Sequence, residues 1–288
     1  MHTRKFAVIG GDKRNHALAD MLAKDGHDVK FFGFKNYDSD IKNLSDAIKN
    51  ADFIIGPTPC SHAGGVLVAP FHNEPILADD LFNHMTNSQI FLAGYIKPDV
   101  LELAKVHDVR VIDMLKREEL LVKNAIPTAE GAIKIAIEET EITLHGSQML
   151  IIGYGRIGKI LSQMLRGLGA KVVTVVNNSA AEAAAFSQGC EVCMFEDIER
   201  VLPQSDIIFN TVPETVLDKT NMGAIRAEST LIIDLASPPY GVDVNDSREF
   251  GLRVLYAGSL PGKIAPLTTA GYIRDTIEQI IQEMGAES

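Results

Sequence analysis

Short apolar runs alternate along this chain with longer stretches in which apolar positions recur every three or four residues, so strands and helices are predicted to alternate from the start. The first run, Lys5 to Gly10, turns at Gly10-Gly11-Asp12 into a helical stretch from Lys13 to Lys24, and a second strand spans Asp28 to Phe34. Further apolar runs lie at Phe53 to Gly56, Ile90 to Ala93 and Val109 to Ile112, with helices expected near Leu77 to His84 and Asp99 to His107. Such alternation predicts a parallel sheet covered on both faces, in a flavodoxin-like layer.

The pattern repeats after residue 146 with stronger punctuation. Met149 to Ile152 leads into Gly153-Tyr154-Gly155-Arg156-Ile157-Gly158, a helix is expected up to Leu168, Gly169 stops it, and a strand follows from Lys171 to Val176. Strand, glycine turn, helix and strand in this order form a dinucleotide-binding unit. Gly153 permits the tight turn, Gly155 lets the backbone approach a pyrophosphate, and Gly158 allows the helix to pack on the strand. Strands near Ile207 to Asn210, Leu231 to Leu235 and Arg253 to Tyr256 complete a Rossmann sheet, and Thr268 to Met284 reads as an amphipathic helix.

The expected fold class is therefore α/β: two doubly wound parallel-sheet domains, flavodoxin-like then Rossmann, with a cleft between them. Residues 1–125 form the first, 126–145 an inter-domain helix started by Thr128 as N-cap, and 146–267 the second; 268–288 is expected to pack back on the first. Hydrophobic residues make up 46% and charged residues 23% of the 288 positions, enough for two sizeable cores. The opening residues lack the long apolar core of a signal peptide and no run approaches a membrane span, so a cytoplasmic location is expected. A net charge of −11 argues against nucleic-acid or anionic-membrane partners. Cys60, Cys190 and Cys193 suit a reducing compartment; the last two have CxxC spacing without a second pair or a nearby histidine, and no metal site is expected.

Ligands of open parallel sheets bind beyond the carboxyl ends of strands, which selects the loops of interest. At the end of the second Rossmann strand a carboxylate would hold the ribose 2′-hydroxyl of NAD, but here stand Asn177, Asn178 and Ser179. These side chains can donate hydrogen bonds to a 2′-phosphate, with Arg156 in reach, so NADP is expected, NAD being the alternative; the two asparagines also suit a plain turn. Thr211, Val212 and Pro213 follow one strand on the nicotinamide side, and Ala236 and Ser237 follow the next. Asp12 and Arg14, after the first strand, offer either a carboxylate-binding fork or an ordinary helix cap. Thr58, Ser61 and His62 lie in the loop after the Phe53 strand, where His62 is a candidate for proton transfer. Gly94 offers backbone amides, and Lys263 a cation for a substrate carboxylate. His145 precedes a strand and belongs at the opposite end.

Taken together, VIGGDKR at Val8 to Arg14, IPTAEGAI at Ile126 to Ile133, HGSQMLIIGYGRIGK at His145 to Lys159, the LAS loop at Leu235 to Ser237 and LPGKIAP at Leu260 to Pro266 resemble the dipicolinate synthase A-subunit family. The resemblance spans nearly the whole chain; the two-domain layout is more distantly similar to D-2-hydroxyacid dehydrogenases and adenosylhomocysteinase. One departure is Ser237-Pro238-Pro239-Tyr240-Gly241, where a basic residue would follow the serine, which shifts weight to Arg14 and Lys263. The resemblance implies NADP-dependent oxidation of dihydrodipicolinate, derived from 4-hydroxy-tetrahydrodipicolinate, to dipicolinate in the sporulating mother cell. It also implies a flavoprotein-like dipicolinate synthase B-subunit as partner. A homo-oligomer is expected. His62 and Lys263 are the catalytic candidates, and Asp12, Arg14, Thr58, Ser61, Gly94, Thr128 and Lys263 the substrate-binding ones. Two other readings stay open: a non-catalytic dinucleotide-binding regulatory protein, and a D-2-hydroxyacid-type dehydrogenase, against which the absence of any histidine after His145 counts.

Overall fold

The computed structural model describes residues 3–34, 41 and 43–286. It divides into two compact units, one built from the segments up to Lys123 and from Ala265 onward, the other from Asn124–Ile264.

In the first unit the chain runs β1 (Lys5–Ile9), α1 (Lys13–Lys24), β2 (Asp28–Phe32), α2 (Leu44–Ile48), β3 (Phe53–Ile55), α3 (Ala78–His84), β4 (Ile90–Ala93), α4 (Pro98–Val106) and β5 (Arg110–Asp113). The strands are parallel and ordered β2-β1-β3-β4-β5, the flavodoxin-like winding. Strands β3 and β4 are buried on both faces, as a continuous apolar run in a doubly covered sheet should be. One face packs on α2, α3 and α4 through Ile54, Leu81, Phe82 and Phe91.

Helix α5 (Glu118–Glu138) carries the chain across the boundary between Lys123 and Asn124. It corrects the expected helix start: Thr128 is no N-cap but an interior residue whose hydroxyl donates to the Asn124 carbonyl, 2.8 Å away. Pro127 before it lacks an N–H and frees the Lys123 carbonyl from the helix ladder. The Pro-Thr pair that resembles a helix start is thus contained within a longer helix, set by the apolar positions upstream such as Leu120 and Ala125.

The second unit continues with β6 (Gln148–Ile152), α6 (Arg156–Gly167), β7 (Lys171–Val176), α7 (Ser179–Ser187), β8 (Glu191–Met194), β9 (Ile207–Asn210), β10 (Leu231–Asp234), α8 (Val244–Glu249), β11 (Arg253–Tyr256) and α9 (Leu260–Ile264). Its sheet, all parallel, is ordered β11-β10-β9-β6-β7-β8, and the order reverses at β6, where the first crossover begins. Its cores lie on either face: Met149, Ile151, Leu161 and Phe209 against α5 and α6, and Leu150, Ile152, Ile208 and Ile232 on the other side.

The last helix, α10 (Pro266–Ala286), belongs to the first unit; residues 287 and 288 of the expected C-terminal segment lie outside the described residues. Ala270, Ile273, Ile277 and Ile281 pack with Val8, Leu18 and Leu22 of β1 and α1. Around this apolar seam Arg117 makes two 2.7 Å bonds to Glu283, and His27 lies 3.2 Å from Glu278. No described helix is long and apolar enough to cross a membrane.

Candidate dinucleotide and substrate site

The glycine turn of the second unit shows a distinct constraint at each glycine. Gly153 ends β6 with φ +98°, a conformation other residues rarely take, and a Cβ there would lie 2.5 Å from Thr211 Oγ1. At Gly158 a Cβ would overlap the Gly153 carbonyl oxygen, so only glycine lets α6 sit this close to its strand. Gly155 is different: a Cβ there would meet nothing within 4 Å. It is the N-cap of α6 and no side chain caps the helix, so the N-terminal end of α6 faces open space across a Cβ-free residue. Backbone N–H groups of a first turn, the positive end of the helix dipole and room for a bulky anion fit a pyrophosphate.

At the end of β7, Asn178 is the N-cap of α7: its Oδ1 accepts from Ala181 N at 2.9 Å, while its Nδ2 donates to Asn177 Oδ1 at 2.7 Å. Asn177 is exposed, two residues before Ser179, the first residue of α7. Arg156 and Ile157 open α6. The Tyr154 hydroxyl lies 4.0 Å from Cys190 Sγ, and its ring 5.7 Å from Lys159 Nζ. Burial, and then the neighbouring Cys190, push that phenol up to about 12. Tyr154 and Cys190 line a cavity of about 650 Å³ with side chains of α6 and α7. Cys193 packs on the other face of the sheet and all three cysteines are free; among the described residues no group of metal-ligating side chains comes together.

Thr211 closes the turn from β9, donating from N and Oγ1 to the Ile152 carbonyl at 3.0 and 2.9 Å. Val212 and Pro213 follow, and alongside them Ala236 and Ser237 leave β10. Two residues outside the set of sequence candidates organise these loops: Asn210 and Asp234, each fully buried at the end of its strand. A polar residue terminating an otherwise apolar strand (IIFN, LIID) is the signal that could have found them. Asp113 at the end of β5 follows the same rule, accepting from the backbone N–H groups of Tyr95, Ile96 and Leu115 at 2.9 to 3.0 Å. Lys263 falls within the short helix α9 rather than an open loop; it is exposed and donates to the Gly258 carbonyl at 3.1 Å. Helix α9 packs on α5 at Gly131, where a Cβ would lie 2.9 Å from Ile264 and 3.1 Å from Leu260.

In the first unit, Asp12, Arg14, Thr58 and Gly94 come together beyond the carboxyl ends of β1, β3 and β4. Asp12 caps α1 by accepting from Arg14 N at 2.9 Å and also clasps the Arg14 guanidinium through Nε and Nη2, at 2.8 to 3.1 Å. Nη2 donates as well to the Thr58 carbonyl, and Arg14 is only 6% exposed. The guanidinium therefore ties one loop to another instead of presenting an open fork. Gly94 donates its N–H to the Pro57 carbonyl at 3.1 Å, and a Cβ there would overlap the Thr58 hydroxyl. Ser61 is 3% exposed with a hydroxyl that has no hydrogen-bond partner among the described residues. Beside it, Cys60 is fully buried, and burial, reinforced by Asp113 and Asp99, pushes its thiol up to about 12. His62 is exposed, its backbone N–H bonded to the Val66 carbonyl at 2.8 Å. His145 packs its ring against Gly169, at the amino end of the sheet.

A doubly wound parallel sheet whose first crossover opens on three glycines at the point of strand reversal defines a dinucleotide-binding oxidoreductase of the dehydrogenase fold. Residues 134–250 match the family model of shikimate / quinate 5-dehydrogenase, and residues 5–115 that of the N-terminal domain of the dipicolinate synthase A-subunit. The chain belongs to the dipicolinate synthase A-subunit family: it is 30% identical to the member from Bacillus subtilis (strain 168), over 98% of this chain and 97% of the other. Two solved structures of the family agree. The A-subunit structure from Bacillus halodurans superposes with a TM-score of 0.91 at 26% identity, covering 97% of this chain and 98% of that one. That from Bacillus subtilis gives 0.89 at 29% identity, with 100% and 99% covered.

Proposed function

We propose that this chain is the dehydrogenase component of a dipicolinate synthase, oxidising dihydrodipicolinate, derived from 4-hydroxy-tetrahydrodipicolinate, to dipicolinate during sporulation. The observation that carries the reading is the full-length relationship to the A-subunit family together with the open, uncapped N-terminus of α6 at Gly155. Bound NADP supplies the hydride acceptor: one hydride leaves the dihydropyridine ring, one proton is lost, and the ring becomes aromatic.

The protein's work is then to bind, orient and neutralise. Gly153, Gly155 and Gly158 with the first turn of α6, Arg156 and Ile157 included, hold the pyrophosphate. Asn177 and Ser179 serve the 2′-phosphate, β7 ending without the carboxylate that would hold a ribose 2′-hydroxyl, while Asn178 fixes the start of α7. Tyr154 supports the turn from behind through its contact with Cys190. Thr211 to Pro213, Ala236 and Ser237 border the nicotinamide. For the substrate's two carboxylates the candidates are Lys263 and the loop with Thr58, Ser61 and His62; the N–H groups of Gly94, Tyr95 and Ile96 and the Thr128 hydroxyl already donate within the fold and shape these loops instead. Arg14, clasped by Asp12, contributes its charge and the position of Thr58. His62 is exposed and suited to take the proton. A flavoprotein-like B-subunit is the proposed partner, in a cytoplasmic homo-oligomer.

Freshly generated 4-hydroxy-tetrahydrodipicolinate is incubated with the purified chain and NADP or NAD, and the absorbance of reduced cofactor and of the pyridine product is followed. Both signals are expected to rise together. Silence with either cofactor, with and without the partner protein, overturns the reading; dinucleotide binding without turnover points to a regulatory role.

A further inference from the structure

Asn210 and Asp234 are partners in the register of β9 and β10, and neither has any exposed surface. Burying a carboxylate is costly unless its oxygens are satisfied, and Asp234 makes no ion pair among the described residues. Its partners are all N–H groups. Oδ1 accepts from Asn210 Nδ2 at 2.9 Å and from Ala236 N at 3.0 Å; Oδ2 accepts from Gly241 N at 2.9 Å and Val242 N at 3.0 Å. Asn210 faces the other loop: its Nδ2 donates to the Val212 carbonyl at 2.9 Å and its Oδ1 accepts from Val212 N at 3.1 Å. Gly241 closes the arrangement, because a Cβ there would overlap Asn210 Nδ2 and lie 2.5 Å from Val212 O.

The loop after β9 and the loop after β10 are therefore one hydrogen-bonded body with two side chains at its centre. A turn alone needs no such arrangement, since an Asn or Ser would cap it without a buried charge. A carboxylate is the one side-chain group with about four acceptor positions and no donor, matching the four N–H groups converging here.

We propose that Asn210 and Asp234 are positioning residues for the nicotinamide half of the cofactor. They set Thr211 to Pro213 and Ala236 to Ser237 relative to each other, while the glycine turn independently receives the pyrophosphate half. The assignment rests on the cofactor reading above and divides that site into two halves.

The test uses the full chain with Asp234→Asn, which turns one acceptor into a donor facing the loop's N–H groups, and Gly241→Ala, which displaces Asn210 while keeping both side chains. Calorimetric titration compares NADPH with 2′-phospho-ADP-ribose, the same molecule without its nicotinamide. Each variant is expected to weaken NADPH binding about tenfold, equivalent to about 1.4 kcal/mol, and to bind the fragment within about twofold of the unaltered protein. Equal loss of both ligands, as a collapsed or merely destabilised domain would give, overturns the proposal, and so does unchanged NADPH affinity. If the unaltered protein binds neither ligand, the cofactor reading itself has failed, and this assignment falls with it before any variant is compared.

Discussion

The carboxylate of Asp12 and the guanidinium of Arg14 grip each other across one turn at the start of α1, Nη2 to Oδ2 at 2.8 Å and Nε to Oδ1 at 3.0 Å, while the same Nη2 reaches the Thr58 carbonyl. A planar fork fills both sets of contacts at once, which a lysine ammonium cannot do. Arg14→Lys is therefore expected to lower unfolding stability by about 1–3 kcal/mol and to raise the substrate KM more than it lowers kcat, because the Thr58 loop loses its tether. Urea unfolding and steady-state kinetics read the two effects separately. An unchanged midpoint with unchanged KM would show that the clasp holds nothing in place.

Two glycines of one turn should respond differently to the same methyl group. Gly158→Ala drives a Cβ into the Gly153 carbonyl oxygen, a backbone atom with nowhere to go, and is expected to cost about 1–3 kcal/mol of stability along with dinucleotide affinity. Gly155→Ala meets nothing within 4 Å and has φ −81°, which alanine adopts freely, so its thermal midpoint should match the unaltered chain. Only its dinucleotide affinity should fall, because the methyl stands where the pyrophosphate approaches. Thermal melts paired with titrations distinguish the cases, and a Gly155→Ala protein that binds as before would remove the pyrophosphate from this position.

Stability should decline in alkali through Cys60. Its thiol has an ordinary value of 9.0 and is pushed up to about 12 in the fold, chiefly by burial. The native chain therefore keeps a proton that the unfolded chain releases. The contribution is complete below pH 9.0 and is lost as pH rises toward about 12, at no more than about 1.4 kcal/mol per pH unit for this one group. Denaturant unfolding from pH 8 upward should show this fall, and Cys60→Ala should flatten it. An identical slope in that variant would assign the alkaline loss to other groups.

Most of the architecture was legible because it rests on short-range pattern. Ile207–Asn210, Lys171–Val176 and Arg253–Tyr256 begin and end where apolar runs meet turn residues, and both sheets have the windings those runs imply. The glycine turn was legible because each glycine meets a separate steric demand. The true start of helix α5 is not legible, since Pro127-Thr128 mimics a helix entry and only packing shows that the helix is already under way. The side-chain ties were less accessible. Asp12 and Arg14 lie two residues apart, yet their pairing depends on Thr58 arriving from β3, and the union of Asn210 with Asp234 depends on strand register. Those facts are non-local, and a single strand-terminal polar residue is only a hint of them.

Helix α10 has a consequence for how the molecule is made. The core formed by Phe6, Val8, Leu18 and Leu22 has Ile273, Ile277 and Ile281 as one wall, and that wall is encoded after the entire second unit. A ribosome reading this message releases Asn124–Ile264 as an uninterrupted, self-contained piece, whereas the earlier half must wait with an apolar flank uncovered until the segment beyond residue 265 has emerged. The part synthesised first is thus the part finished last, and nascent chains halted within the second unit are the ones that most need a chaperone's cover.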